Sequence, residues 1–267
     1  APANAENGPA REPAGRKLRY LEYRSSSRTK REMMYVDTGC DLGQNTGMGD
    51  SSPITPSPSE SGLSDSGRSM LWIDGVGAYL VCLGERTTIG GPGRDDQPAD
   101  VALLANLSGL HATIVRSREG YFIEAHSPVR IGRRVGDGRA YLNDGYEIEL
   151  GSGVRLRFRL PSVLSMSAAL EFVSDHRPTQ SVDGVVLMEE TCLLGSGPEN
   201  HVRCRDWAAP VLLYRRDGEL YCKSRGEVFV DGMMETASTP LRDGQIVSGA
   251  DFSFRIEALR TRVGGRG

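Results

Sequence analysis

Thr87-Thr88-Ile89-Gly90 and, further on, Ser108-Gly109-Leu110-His111-Ala112-Thr113-Ile114 decide the fold of this chain. In both, a short run rich in β-branched residues meets glycine. Branched side chains suit a pleated strand, and glycine suits the turn beside it. Leu142-Asn143-Asp144-Gly145-Tyr146-Glu147-Ile148-Glu149-Leu150-Gly151 closes the stretch with an Asp-Gly turn and an alternating strand. A degenerate copy returns as Leu193-Leu194-Gly195 and Leu241-Arg242-Asp243-Gly244-Gln245-Ile246-Val247.

Working outward, apolar runs of strand length alternate with turn residues and helical periodicity is absent, which predicts an all-β chain. The predicted strands of the first copy are 70–73, 78–83, 85–89, 100–104, 111–117, 120–125, 129–131, 146–150 and 153–160. Arg155-Leu156-Arg157-Phe158-Arg159-Leu160 alternates strictly, placing three arginines outward and Leu156, Phe158 and Leu160 in a core. Pro161 ends this copy. The second is predicted at 167–173, 184–188, 190–194, 200–204, 210–215, 219–223, 227–230, 245–248 and 251–257. Ile89-Gly90 corresponds to Leu194-Gly195, Ile131-Gly132 to Asp231-Gly232, and Asp144-Gly145 to Asp243-Gly244. The pattern is a tandem duplication of about ninety residues, with enough strands in each copy to bury a core of its own.

Residues 1–69 are rich in Pro, Ser, Gly and charge, including Ser51-Ser52-Pro53-Ile54-Thr55-Pro56-Ser57-Pro58, and predict a disordered tail. The expected organisation is therefore tail 1–69, sandwich 70–161, degenerate sandwich 162–260 and a flexible end 261–267. Net charge is −3, which excludes a basic nucleic-acid groove as the main binding surface. No apolar run approaches the ~20 residues that span a bilayer. The five cysteines form no C-x-x-C or zinc spacing, and their odd number points to a reducing, cytoplasmic setting. His111, His126, His176 and His201 share no ligand spacing, so neither metal nor cofactor is expected. Gly90-Gly91-Pro92-Gly93 follows a strand but opens no helix and precedes no Lys-Ser/Thr, which sets a nucleotide loop aside. No nucleophile with a base in motif context suggests an enzyme.

With these residues in place, the first copy resembles the forkhead-associated (FHA) domain, and the second resembles it in degenerate form. The resemblance implies tandem β-sandwiches that bind protein partners through loops at one end, with phosphothreonine peptides as ligands beside Ser/Thr protein kinases. Residue by residue, Ser108 and His111 match the family's Ser-x-x-His, in which the serine meets phosphate and the histidine braces the loop. Gly90 matches the Ile-Gly step, but Gly91 stands where the family has arginine. Ile131-Gly132 stands at an Asn-Gly position with the asparagine replaced. In the second copy the Ser-x-x-His positions are Ala208 and Val211.

Loss of the arginine and asparagine removes about 3–4 kcal/mol of charge-assisted bonding, enough to turn a micromolar site millimolar. Arg94, in the same glycine-rich loop, and Arg130, Arg133 and Arg134 are candidate replacements around Ser108; His111, Gly90 and Gly132 are candidate loop-bracing residues. The competing possibility is an ordinary solvated arginine surface. Thr38 and Thr55 are candidate phospho-acceptors, and Thr38 carries Asp41 three residues on, where FHA ligands hold a specificity residue. The expected function is a non-enzymatic signalling adaptor that binds a protein or its own N-terminal tail. The alternative is a purely structural protein-protein interaction module that binds no phosphopeptide.

Overall fold

A computed structural model describes residues 67–93, 98–132, 134–162, 164–235 and 238–259, with the side chains of 134–137 outside the description. These residues are all-β and contain no helix. In the first repeat, β1 (Arg68–Ile73) and β2 (Gly77–Cys82) form a hairpin. There follow β3 (Arg86–Gly90), β4 (Val101–Ala102), β5 (Ala112–Ser117), β6 (Gly120–Ile131), β7 (Arg134–Leu142), β8 (Glu147–Leu150) and β9 (Val154–Arg159). The second repeat opens on the hairpin β10 (Ala168–Phe172) and β11 (Gly184–Leu187). It continues with β12 (Thr191–Gly195), β13 (Val202–Arg203), β14 (Val211–Arg216), β15 (Glu219–Lys223), β16 (Phe229–Val230), β17 (Met233–Met234), β18 (Ile246–Ser248) and β19 (Ser253–Ala258).

Two strands were not predicted. β7 is a full partner of β6 although Gly136 and Gly138 interrupt its alternation. β17 is a two-residue return along β16. The predicted strands 120–125 and 129–131 are one strand with a register shift between Ala125 and Val129. Pro128, which cannot donate to a ladder, sits in that irregularity.

One pairing scheme occurs twice. β3 pairs with β4 in parallel and with β5 antiparallel, as β12 does with β13 and β14. β5 pairs with β6 as β14 pairs with β15. β6, β8 and β9 follow one another as β16, β18 and β19 do. The opening hairpins, however, are exchanged. β9 pairs with β10, matching Phe158 with Leu170, while β19 pairs with β1, matching Ile256 with Leu71. The expectation that each copy closes its own core is thus corrected: each core takes side chains from both hairpins, and the last strand of each copy pairs with the other copy's hairpin.

Burial follows the exchange. Phe158, Leu156 and Ile148 share one core with Ala168, Leu170, Val185 and Leu187. Phe254, Ile256 and Val247 share the other with Leu71, Ile73, Val81 and Leu83. Each such Val, Leu, Ile or Phe side chain contributes roughly 1.5–3 kcal/mol when taken fully from water, so the hairpins are integral to these cores. β2 and β11 lie side by side in parallel, with Leu80 opposite Val185 and Val81 opposite Val186. Their alternate residues face different cores, Leu80 and Val185 one, Val81 and Val186 the other. This seam joins the strands into one fifteen-stranded sheet, and β13-β12-β14-β15 forms a separate sheet.

Where the chain leaves the seam, backbone carbonyls are capped by arginine. Arg116 on β5 donates to Met188 O at 3.1 Å and Leu83 O at 3.5 Å. Arg215 on β14 donates to Glu189 O at 3.3 Å and Leu83 O at 3.5 Å. Two arginines of the predicted stripe on β9 are paired: Arg157 meets Glu147 and Glu171, and Arg159 meets Asp144 and Glu171.

The exchange predicts a disulfide pattern. Trp72 lies opposite Arg255, whereas an unexchanged hairpin would set it opposite Arg157, the present partner of Glu171. In a Cys40→Ser background, Trp72→Cys with Arg255→Cys should cross-link on mild oxidation, since Cα atoms across an antiparallel pair lie within disulfide range. Trp72→Cys with Arg157→Cys should not. The reverse pattern on a mass-resolved gel would contradict the exchange.

Candidate functional site

Four segments of the first repeat meet at one end: Gly90–Gly93, the β4–β5 loop through His111, the break at 126–128, and the β8–β9 turn at Gly151. The β4–β5 loop passes directly over the end of β3. Ile89 O accepts from His111 N–H at 2.9 Å, Gly90 O from Leu103 N–H at 2.8 Å, and Ser108 O from Gly91 N–H at 2.9 Å. Glycine is needed beneath this crossing. A Cβ at Gly90 would stand 1.9 Å from Gly109 O, and one at Gly91 2.5 Å from Leu107 O. The family's arginine therefore has no room at position 91 without moving the Leu107 backbone.

His111 ties the loop to the break in β6. Its ring is 4% exposed, and Nε2 lies 3.1 Å from Pro128 O. Its carbonyl accepts from His126 N–H and Ser127 N–H, each at 3.0 Å. The Gly151 N–H is donated to Pro128 O at 3.3 Å, which draws in the β8–β9 turn. Upon this support sits an exposed hydroxyl pair, Ser108 Oγ 2.8 Å from Ser127 Oγ. One hydrogen is used between them, which leaves the second hydroxyl hydrogen free to point outward. Leu104 and Leu110 of the same loop are also exposed, at 57% and 48%.

The predicted site residues do not all meet here. Arg130 pairs with Glu149 on β8 at 3.1 Å. Gly132 sits at the tip of the β6–β7 hairpin with φ +57°, and its N–H is donated to Glu147 O at 3.1 Å. The backbone of Arg134 opens β7 opposite Ile131. Arg94, Arg133, Thr38 and Thr55 lie outside the described residues. Sequence reasoning missed Ser127, which occupies the ground beside Ser108 in place of the segment Ile131-Gly132. The signal for it was the interrupted alternation at His126-Ser127-Pro128.

The second repeat has a different end. Ala208 offers no hydroxyl, and its N–H is donated to the Asp251 carboxylate. The Asp231 carboxylate is consumed locally, accepting from Ile246 N–H and Gln245 Nε2 at 3.0 Å each. The strand-bridging role also changes hands. In the first repeat Asp100 accepts from Thr88 N–H at 2.8 Å, whereas in the second His201 Nδ1 accepts from Leu193 N–H at 3.0 Å. His201 is 6% exposed, and burial holds its imidazole below the usual histidine range. Cys82, Cys192 and Cys204 are buried free thiols and Cys222 is half-buried. Burial pushes the Cys82 thiol up to about 12, so it is protonated and unreactive at neutral pH. Among the described residues no cluster of His, Cys, Asp and Glu could hold a metal ion, and no helix is long and apolar enough to cross a membrane.

No protein-family model matches the sequence, and none of the curated proteins does. Among solved structures the chain is similar to the N-terminal FHA domain from EssC, a component of the bacterial Type VII secretion apparatus. Identity is 13% over 71% of this chain and 92% of that one, with a TM-score of 0.19.

Burial of His201 predicts an acid sensitivity of the fold. A depressed folded pKa means that the unfolded chain takes up a proton first as pH falls through about 6.5, so stability declines from there downward. Denaturant titrations at stepped pH should show a weaker decline between pH 6.5 and 5 for His201→Asn, whose amide oxygen can still accept from Leu193. Identical pH dependence in both proteins would contradict this role.

Proposed function

We propose that this chain is a non-enzymatic protein-binding module that docks a peptide at the loop end of its first repeat. The observation that carries this reading is the Ser108–Ser127 hydroxyl pair, exposed on a loop that is itself held by the buried His111. A polar pair with a spare donor, flanked by exposed Leu104 and Leu110, suits an extended segment with one oxygen acceptor and an apolar neighbour. The resemblance to FHA modules, carried by Ser108 and His111, makes phosphothreonine the ligand of first choice and a kinase-linked signalling adaptor the corresponding role. The second repeat, with Ala208 at the serine position, serves the structure of the first or docks protein without phosphate.

One observation favours a reading without phosphate. Arg130 is committed to Glu149, and glycine occupies the family's arginine position. Two hydroxyls alone give a phosphate single hydrogen bonds charged on one side only, without the bidentate ion pair that an arginine adds. Affinity for a phosphothreonine peptide is accordingly expected near millimolar, useful where partner and module are tethered.

An NMR titration of the whole chain with matched phosphothreonine and threonine peptides separates the two. Shifts at Gly91, Ser108 and Ser127 with the phosphorylated peptide only, weakened several-fold by the double change Ser108→Ala and Ser127→Ala, are expected. Equal shifts with both peptides would leave a phosphate-independent docking module. Unchanged binding by the double variant would remove this loop end as the site.

A further inference from the structure

The two exchanged hairpins differ in one respect that the exchange itself does not require. The β1–β2 connection is the tight turn Asp74–Val76, closed by Val76 N–H to Ile73 O at 3.1 Å. The β10–β11 connection runs from Val173 to Asp183, and it does not stay on its own hairpin. It crosses to the first repeat and lies along β4. Ala102 O accepts from Thr179 N–H at 2.8 Å, and Arg177 O accepts from Leu104 N–H at 2.9 Å. Leu103 and Pro178 form an antiparallel bridge between these bonds.

β4 is the terminal strand of the large sheet and only two residues long. A strand edge so placed has backbone groups without a ladder partner, which water or another segment must satisfy. Here the satisfied residues, Ala102 to Leu104, lead straight into the loop that carries Ser108. The crossing segment is pinned at both ends. Arg155 O accepts from Val173 N–H at 2.9 Å and from Ser174 N–H at 3.2 Å. At the other end Val182 is fully buried in the first core, and Asp183 Oδ2 accepts from Ala78 N–H at 2.9 Å. Pro178 is buried where it meets Leu103. Ordering a long connection costs conformational entropy that a two- or three-residue turn would not. Among the described residues the second repeat has no such segment on β13, since the turn that would supply it spans only Asp74–Val76.

We propose that Val173–Asp183 is a positioning strap, by which the second repeat holds the recognition loop of the first in place. The loop end around Ser108 is then a composite: its hydroxyls come from one repeat and the support of its entry strand from the other. The degenerate repeat thereby acts on binding in cis. The effect on peptide binding rests on the docking function proposed above, whereas the mechanical claim does not.

Amide hydrogen exchange on the whole chain tests it. In the unaltered protein, the amides of Thr179, Leu104 and Ala105 should open together, with one common dependence on denaturant. Thr179→Pro removes the donor to Ala102 O and should raise exchange at Leu103, Leu104 and Ala105 about five- to tenfold, the scale of one backbone hydrogen bond. Replacing residues 174–181 by Asn-Gly, which closes Val173 onto Val182 as a two-residue hairpin, should raise it further. The amides of β14 and β15 should hold their protection in both variants. Independent opening of Thr179 and Leu104 in the unaltered chain would overturn the strap, whether or not either variant folds. So would unchanged exchange at Leu104 in a folded variant. Failure of the unaltered chain to bind any peptide would sink the docking function and leave the strap standing. Binding that survives loosening of Leu104 would restrict the strap to structure and overturn its role in recognition.

Discussion

The parallel seam between β2 and β11 is the constraint on which the rest of the structure depends. β11 is buried along its whole length and β2 is buried over Leu80, Val81 and Cys82, so these positions are apolar and each strand shares its side chains between two cores. A strand in that position cannot leave with one repeat and stay with the other. The exchange of hairpins follows as the arrangement that keeps β1 on β19 and β10 on β9 while β2 and β11 remain paired. Arg116 and Arg215 then cap the carbonyls at the point where the chain departs for each sandwich.

Much of this was legible. Strict alternation from Arg155 to Leu160 located β9 and its inward face, and Asp144-Gly145 and Asp243-Gly244 marked equivalent turns, whose aspartates accept from Leu160 N–H and Ala258 N–H. The apolar runs Tyr79–Leu83 and Val185–Met188 fell within predicted strands, and their division between two cores is seen in the structure. The exchange was not legible, because Leu71 against Ile256 and Leu170 against Phe158 satisfy the same pattern as either alternative pairing. Period-two alternation specifies which face is buried, not which of two similar partners lies alongside. The connection from Arg159 to Ala168 is long enough to permit either.

The site was legible in part for a related reason. Ser108 and His111 sit in a local motif, and the family resemblance carried by that motif implied a braced loop. Ser127 and the strap reach that loop from 19 and about 70 residues away, through contacts that no local spacing records. Arg130 shows the opposite limit: a basic residue near a candidate anion site reads as available until its cross-strand partner Glu149 is seen.

The central claim is that the two repeats are one body because each core contains the other's hairpin. Leu164, in the β9–β10 connection, is 96% exposed and can carry an inserted protease site there without touching either core. After complete cleavage at that point, the pieces should co-elute as one particle on size exclusion and part only in denaturant, at the unfolding transition itself. Two separate folded pieces in native buffer would contradict the claim.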